Sequence, residues 1–423
     1  MHYAARTYPS SLGMRSSGAA GRYSITNICA AAIILIPYEL LSPVTTILVI
    51  LFLSLVGGFA GMMRKSVNLG AFWIFLYAIV AQTLLSLHGG INWSNYFSQS
   101  NHFWQFCILF FFLSHVFANS NWESMIASPK FLLLLVGSNL VNIFTKFLSG
   151  GGFGIYEFNV NILFLLGAAL IQDHRSRTNF LMFGLLIAIA LALFSRSSSY
   201  LILATAIICY VFPVHLRIAK VLAMVIVAAP VVIYLNLSHS ELLGALQFDH
   251  NTYIRAEFMR GSVEYIKHNF LFGIGFDHPY RDVGFHYITH HPFLIRPDIV
   301  DIVSNHHSIY DTVLRTGIVG AGPLCWLLWG GVRPTRGRRF TAFLLLMMAF
   351  GLSLNAWMED QKHLAMVAVI AVLSNRALHS TRPDRRFGAP PWNPRAWFTR
   401  EEQPVDDDDE PPRALPAPKP EPS

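Results

Sequence analysis

The chain has 423 residues, 53% of them hydrophobic and only 13% charged, and its mean hydropathy is +0.45. This composition excludes a single water-soluble core and places the chain in lipid. The formal net charge is +7, but the basic residues are spread through short loops rather than gathered on one soluble face, which excludes nucleic acid as the partner.

In chain order, Arg6, Arg15 and Arg22 precede the first apolar run. The arrangement resembles a signal sequence, but the hydrophobic pattern continues and no A-x-A site follows, so an uncleaved first span is expected. Apolar runs then predict spans near 24–37, 43–60, 69–87, 102–118, 131–148, 158–171, 178–194, 200–212, 218–236, 307–331, 340–355 and 363–376. The expected fold is an all-α integral membrane protein of about 12 transmembrane helices. Cys29, Cys107, Cys209 and Cys325 lie far apart in apolar runs with no C-x-x-C pair, and read as small core hydrophobes.

Three parts fall outside the spans. Residues 1–23 form a cytoplasmic N-terminal segment, residues 237–306 one large loop within the membrane domain 24–376, and residues 377–423 a Pro-rich and acidic tail (EEQPVDDDDE at 401–410) expected to be disordered. The loop carries one predicted helix, from about Thr252 to His268, with Asp249 or Asn251 as N-cap. Ile254, Phe258, Tyr265 and Ile266 fall at helical spacing on it, suited to the membrane surface or to packing on the spans. Phe270–Phe276 (FLFGIGF) then reads as a Gly-punctuated turn.

Basic residues set the expected orientation. With the N-terminus cytoplasmic, one face receives Arg6, Arg15, Arg22, Arg64, Lys65, Lys130, Arg175, Arg177, Arg217, Lys220, Arg333, Arg336, Arg338 and Arg339, 14 in all. The opposite short loops hold 2, Arg196 and Lys362, which makes both termini cytoplasmic and the 237–306 loop extracytoplasmic. Lys146, near the outer end of its span, runs against this assignment unless it snorkels.

Three places carry candidate chemistry. Arg196, in Ser195-Arg196-Ser197, is a cation at a membrane edge on the depleted side, suited to holding an anion; a snorkelling interfacial arginine is the competing account. Arg255 is expected in the first turn of the loop helix, where its guanidinium and the free backbone N–H groups would both favour phosphate; an exposed surface arginine is the competing account. His306 and His307 open the predicted 307–331 span, followed by the polar pair Asp311 and Arg315 at i, i+4. Imidazole there can take a proton from a hydroxyl nucleophile, or serve simply as an interfacial hydrogen-bonding group. His286, His290 and His291 have a spacing that could bind zinc on a helix, but Pro292 follows directly and no Cys or acidic ligand accompanies them. No metal or cofactor is expected.

Taken in order, these residues resemble the O-antigen ligase and polymerase superfamily of bacterial glycan-transferring membrane enzymes. Ser195-Arg196-Ser197 is similar to the family's Ser-Arg-small motif, and Arg255 with Gly273 and Gly275 to its loop pattern of arginine, helix and G-x-G. His306-His307 followed by Gly317-Ile318-Val319-Gly320 is similar to its His-Asn and G-x-x-G pattern. There are departures: Met259 stands where an aromatic is usual, Phe270 replaces the proline of Asn-Pro, and His307 replaces asparagine.

The resemblance implies a GT-C-like helical fold in the bacterial inner membrane and metal-independent glycosyl transfer from an undecaprenyl-diphosphate-linked glycan to a glycan, lipid or protein acceptor. It assigns catalysis to His306, Arg255 and Arg196, with Arg196, Arg255 and His307 binding substrate. Polymerase rather than ligase activity is the alternative within enzymes. The alternative from another class is a transporter of anions or of the lipid-linked glycan, against which stand the outer-face position of the polar residues and the absence of paired broken helices in the pattern.

Overall fold

The structure, a computed structural model, describes residues 24–36, 40–63, 197–212, 214–236, 250–277, 307–326, 329, 338–354 and 361–374 and, with breaks of one or two residues, 76–148. All of them lie within the unit Met1–Thr381. The described residues form helices, turns and connections and include no strand, the architecture of an integral membrane protein. The predicted spans 158–171 and 178–194, the N-terminal segment and the acidic tail lie outside the described residues.

The helices are α1 (Ile25–Leu35), α2 (Pro43–Met62), α3 (Trp93–Ala118), α4 (Trp122–Ile126), α5 (Pro129–Leu148), α6 (Ser197–Val211), α7 (Leu216–Asn236), α8 (His250–His268), α9 (Ser308–Cys325), α10 (Arg338–Leu354) and α11 (Gln361–Ser374). Among the described residues, three helical stretches are long and apolar enough to cross a membrane: Val44–Met62, Trp93–Ala118 and Leu216–Asn236. Shorter apolar helices cover Ile25–Leu35, Arg339–Ser353 and Leu364–Leu373.

Local chemistry sets several of these boundaries. Ser42 caps α2 by accepting the Thr45 N–H at 3.1 Å, and Pro43 takes the first helical position, where an N–H would have no partner. Asn92 caps α3 through the Asn95 N–H at 3.3 Å, so α3 begins nine residues before the apolar run predicted at 102–118. The polar stretch Trp93–Asn101 is helical because its cap and ring contacts stabilise it. Trp93 packs against Tyr96 and stacks on Phe97.

Packing follows membrane rules, with small residues where backbones approach. On α2, a Cβ at Gly57 would lie 2.7 Å from Cys29 of α1, one at Gly58 2.9 Å from Phe112 of α3, and one at Gly61 2.8 Å from the His115 carbonyl oxygen. Helix α7 buries little besides Ala219, Ala223 and Val227, a stripe at every fourth position, and exposes most of its other apolar side chains. The densest core lies along α10 and α11, both apolar on nearly all sides. Cys29, Cys107 and Cys209 are buried, Cys325 is half-buried, and all four are free thiols.

Two expectations are revised. The loop helix begins at His250, two residues earlier than predicted, so Arg255 falls in its second turn and the free N–H groups of the helix start lie one turn away. The predicted 307–331 span is not one continuous helix: α9 breaks at Gly317 (φ 59°, ψ −168°), a backbone conformation that only glycine adopts readily.

Candidate functional site

Helix α9 opens at His307, whose Nδ1 accepts the Tyr310 N–H at 3.1 Å as N-cap. That bond fixes the neutral tautomer with its proton on Nε2, which donates to the Val227 carbonyl at 2.9 Å. Val227 lies just ahead of Pro230, which interrupts the hydrogen-bond ladder of α7. Both ring nitrogens of His307 therefore hold backbone groups. His306, one residue earlier, lies outside the described residues.

Beyond the cap, α9 buries a run of polar side chains before its break: Ser308, Asp311, Thr312, Arg315 and Thr316. Thr312 and Thr316 donate to carbonyls one turn back, at 2.8 and 2.7 Å, which satisfies their hydroxyls within the helix. Arg315 is among the largest fully buried side chains. Its guanidinium donates to the Gly275 carbonyl and to Gln99 Oε1 of α3, each at 3.4 Å. A buried cation in a membrane protein is costly unless its donors are engaged, so such a residue serves a site or a junction.

The junction is the break. The turn that follows α8 docks its backbone on both sides of Gly317. Ile274 N–H and Gly275 N–H donate to the carbonyls of Leu314 and Arg315 at 2.9 and 3.0 Å. Ile318 N–H and Val319 N–H donate in turn to the carbonyls of Phe270 and Leu271 at 2.9 and 3.1 Å. Each half-helix thus finds in the turn the partners its interruption removed. The contact leaves no room for side chains: a Cβ at Gly273 would lie 2.5 Å from the Arg315 carbonyl, and one at Gly317 2.4 Å from the Leu271 carbonyl.

Further contacts hold the turn from outside. Gln82 Nε2 donates to the Phe272 carbonyl. Phe276 is buried against Tyr96 and Phe103 of α3, at ring-centroid distances of 6.2 and 5.6 Å.

Helix α8 is fixed above this turn. Tyr310 Oη donates to the Met259 carbonyl at 2.8 Å and receives Ser262 Oγ at 3.2 Å, while Arg260 Nε donates to the Tyr234 carbonyl at the end of α7 at 3.2 Å. Met259 and Ser262 stand four and seven residues after Arg255, so position 255 shares the face of α8 that meets α9. The side chain of Arg255 is not among the described ones, and Arg196 and the His286, His290 and His291 group lie outside the described residues.

Sequence reasoning singled out His307, Asp311, Arg315 and the G-x-G turn separately. It did not foresee that Gly273, Gly275 and Gly317 form one junction, nor that Gln82, Gln99, Ser262 and Tyr310 support it. The available signal was the pairing of two glycine motifs in a chain otherwise built of long apolar helices.

Comparison with curated proteins gives no match. The family model described as O-antigen ligase matches residues 162–325. That stretch runs through α6, α7 and α8 and ends where α9 ends, at Cys325. With the interlocked G-x-G and G-x-x-G segments inside it, the match makes this stretch similar to the O-antigen ligase family and supports the O-antigen ligase and polymerase superfamily.

Proposed function

We propose that the protein transfers glycan from an undecaprenyl-diphosphate-linked donor to an acceptor hydroxyl at the outer face of the bacterial inner membrane, in the manner of an O-antigen ligase. The observation that carries this reading is the match over residues 162–325, which encloses Arg196, Arg255 and His306. The acceptor oxygen attacks the anomeric carbon as the bond from that carbon to the diphosphate oxygen breaks. The acceptor proton goes to His306, and Arg196 and Arg255 neutralise the departing diphosphate. The acceptor is a glycan, a lipid or a protein, and no metal takes part.

The membrane frame of this reading has about a dozen spans, an extracytoplasmic 237–306 loop and cytoplasmic termini. The 14 to 2 distribution of basic residues supports it. So does the Arg339 guanidinium, which donates to the Tyr210 carbonyl at 2.9 Å and thereby brings the start of α10 to the end of α6, as this topology requires. Impermeant thiol reagent is expected to reach a cysteine placed at Ser238 in intact spheroplasts and not one placed at Gln403. The opposite labelling pattern would invert the frame.

The break in α9 bears on the transporter alternative. Transporters use the free backbone groups of interrupted helices to hold substrate or ions. Here the backbone groups flanking Gly317 are engaged by residues 270–275. Purified protein in vesicles should therefore move glycan from a labelled lipid-linked donor onto acceptor, at a rate unchanged by chelator; flux of donor without transfer would refute the enzyme reading.

Within that assay, alanine at Arg196 or Arg255 is expected to slow transfer by about 100- to 1,000-fold, the range for removing one donor to a developing charge. Lysine keeps the charge but loses the bidentate fork, so it should restore only part of the rate. Full activity in both alanine variants at normal expression would remove the arginines from the diphosphate site.

A further inference from the structure

The junction also locates the membrane surface. Helix α3 has 26 residues, about 39 Å at 1.5 Å per residue, against a hydrocarbon thickness of about 30 Å. Its C-terminal part is apolar through Ala118 apart from the buried Ser114 and His115, so the excess, about six residues at that rise, falls within the polar stretch that begins at Trp93. Gln99 then stands at the hydrocarbon boundary. Its partner Arg315 and the Gly275 carbonyl beside it stand at the same level, as does the break at Gly317 two residues on.

Exposed side chains agree with this level. Phe270, Leu271 and Phe272 at the tip of the turn are 52%, 58% and 40% exposed, although their carbonyls are engaged in the junction. Trp93 and Phe97 on α3 and Ile318 just past the break are exposed as well. On α8, directly before the turn, Glu264, Lys267, His268 and Asn269 are exposed and polar, with Lys267 Nζ on Glu264 Oε1 at 2.7 Å. Polarity thus switches within a few residues of Asn269.

We propose that the turn Phe270–Phe272 is a membrane-inserted tip, embedded in the leaflet on the side of the 237–306 loop, and that the hydrocarbon boundary crosses α9 at Gly317 rather than at His307. The occupant of this apolar patch is lipid, because the Ile318 N–H bond to the Phe270 carbonyl joins the patch to exposed Ile318, the start of the apolar second half of α9. Aromatic side chains at such a boundary serve as interfacial anchors. The polar face of α9 from His307 to Thr316 then lies above the hydrocarbon, His307 about 15 Å from the boundary at ten residues' rise, where burying Asp311 and Arg315 carries no hydrocarbon cost. This inference rests on membrane embedding alone and holds whatever the reaction.

The test is site-directed spin labelling of the full chain in phosphatidylethanolamine and phosphatidylglycerol nanodiscs. Single cysteines replace Leu271, Phe272, Phe52 and Glu264 in a background lacking the four native thiols, and collision with oxygen is compared with collision with a neutral nickel chelate. Labels at Leu271 and Phe272 should favour oxygen over the nickel chelate, as the label at Phe52 within the span Val44–Met62 does, several-fold above the label at Glu264. A nickel-favouring label at Leu271 and Phe272 would place the tip in water. Shielding from both reagents would mean that protein covers it. Either result overturns the proposal, and neither depends on transfer activity.

Discussion

Alanine at Gly317 or at Gly273 should unfold the junction and abolish activity, while alanine at Gly322 should leave both stability and activity near wild type. The three glycines lie within or against the same helix, yet their surroundings differ. Gly317 (φ 59°) and Gly273 (φ 72°) have a backbone conformation that costs a residue with a Cβ about 1–3 kcal/mol by itself. The added carbon would also lie 2.4–2.5 Å from a backbone carbonyl on the opposing segment. Backbone cannot rotate away as a side chain can, so relief requires the turn and helix to separate.

Separation breaks the four inter-segment hydrogen bonds at 2.9–3.1 Å, each contributing about 0.5–1.5 kcal/mol when made and costing more when its groups stay buried without partners. Gly322 meets nothing within 4 Å and lies in helical backbone, where alanine is favoured over glycine by about 1 kcal/mol. Thermal unfolding in detergent, followed alongside transfer activity, separates the cases. Wild-type melting in Gly317→Ala and Gly273→Ala would mean that the junction does not hold the fold.

How much of this was legible in sequence depends on whether the cause was local. Apolar runs gave the positions of α2, α7, α10 and α11 to within two residues, because membrane helices satisfy their own backbone and need only length and apolarity. The polar first turns of α3 escaped that criterion, since Asn92 and the ring contacts of Trp93 outweigh poor hydropathy. Gly317 carried no local sign of a break. A glycine inside a helical pattern reads as a modest cost, and its unusual conformation is set by residues 270–275, more than forty positions away in the chain. The same holds for Arg315, whose partners come from α3 and the turn.

The adjacent histidines should respond in opposite ways to substitution. His306 stands 11 residues before Gly317, the separation at which the resembling family's histidine precedes its first glycine, and is assigned the proton from the acceptor hydroxyl. His306→Ala is expected to lower transfer by about 100- to 10,000-fold, the range for a general base, and to let lipid-linked donor accumulate. His307 holds backbone with both nitrogens, capping α9 at Tyr310 N–H and bridging to the Val227 carbonyl. Asparagine is a preferred N-cap and carries an N–H₂ donor for a second partner, so His307→Asn should keep most activity. His307→Ala loses the cap, about 1 kcal/mol, together with the link to α7, and should lower thermal stability more than it lowers the rate per folded molecule. All three variants are compared at equal insertion in the membrane. An inactive, well-folded His307→Asn beside an active His306→Ala would move the base to His307 and require that it release the Tyr310 N–H before each turnover.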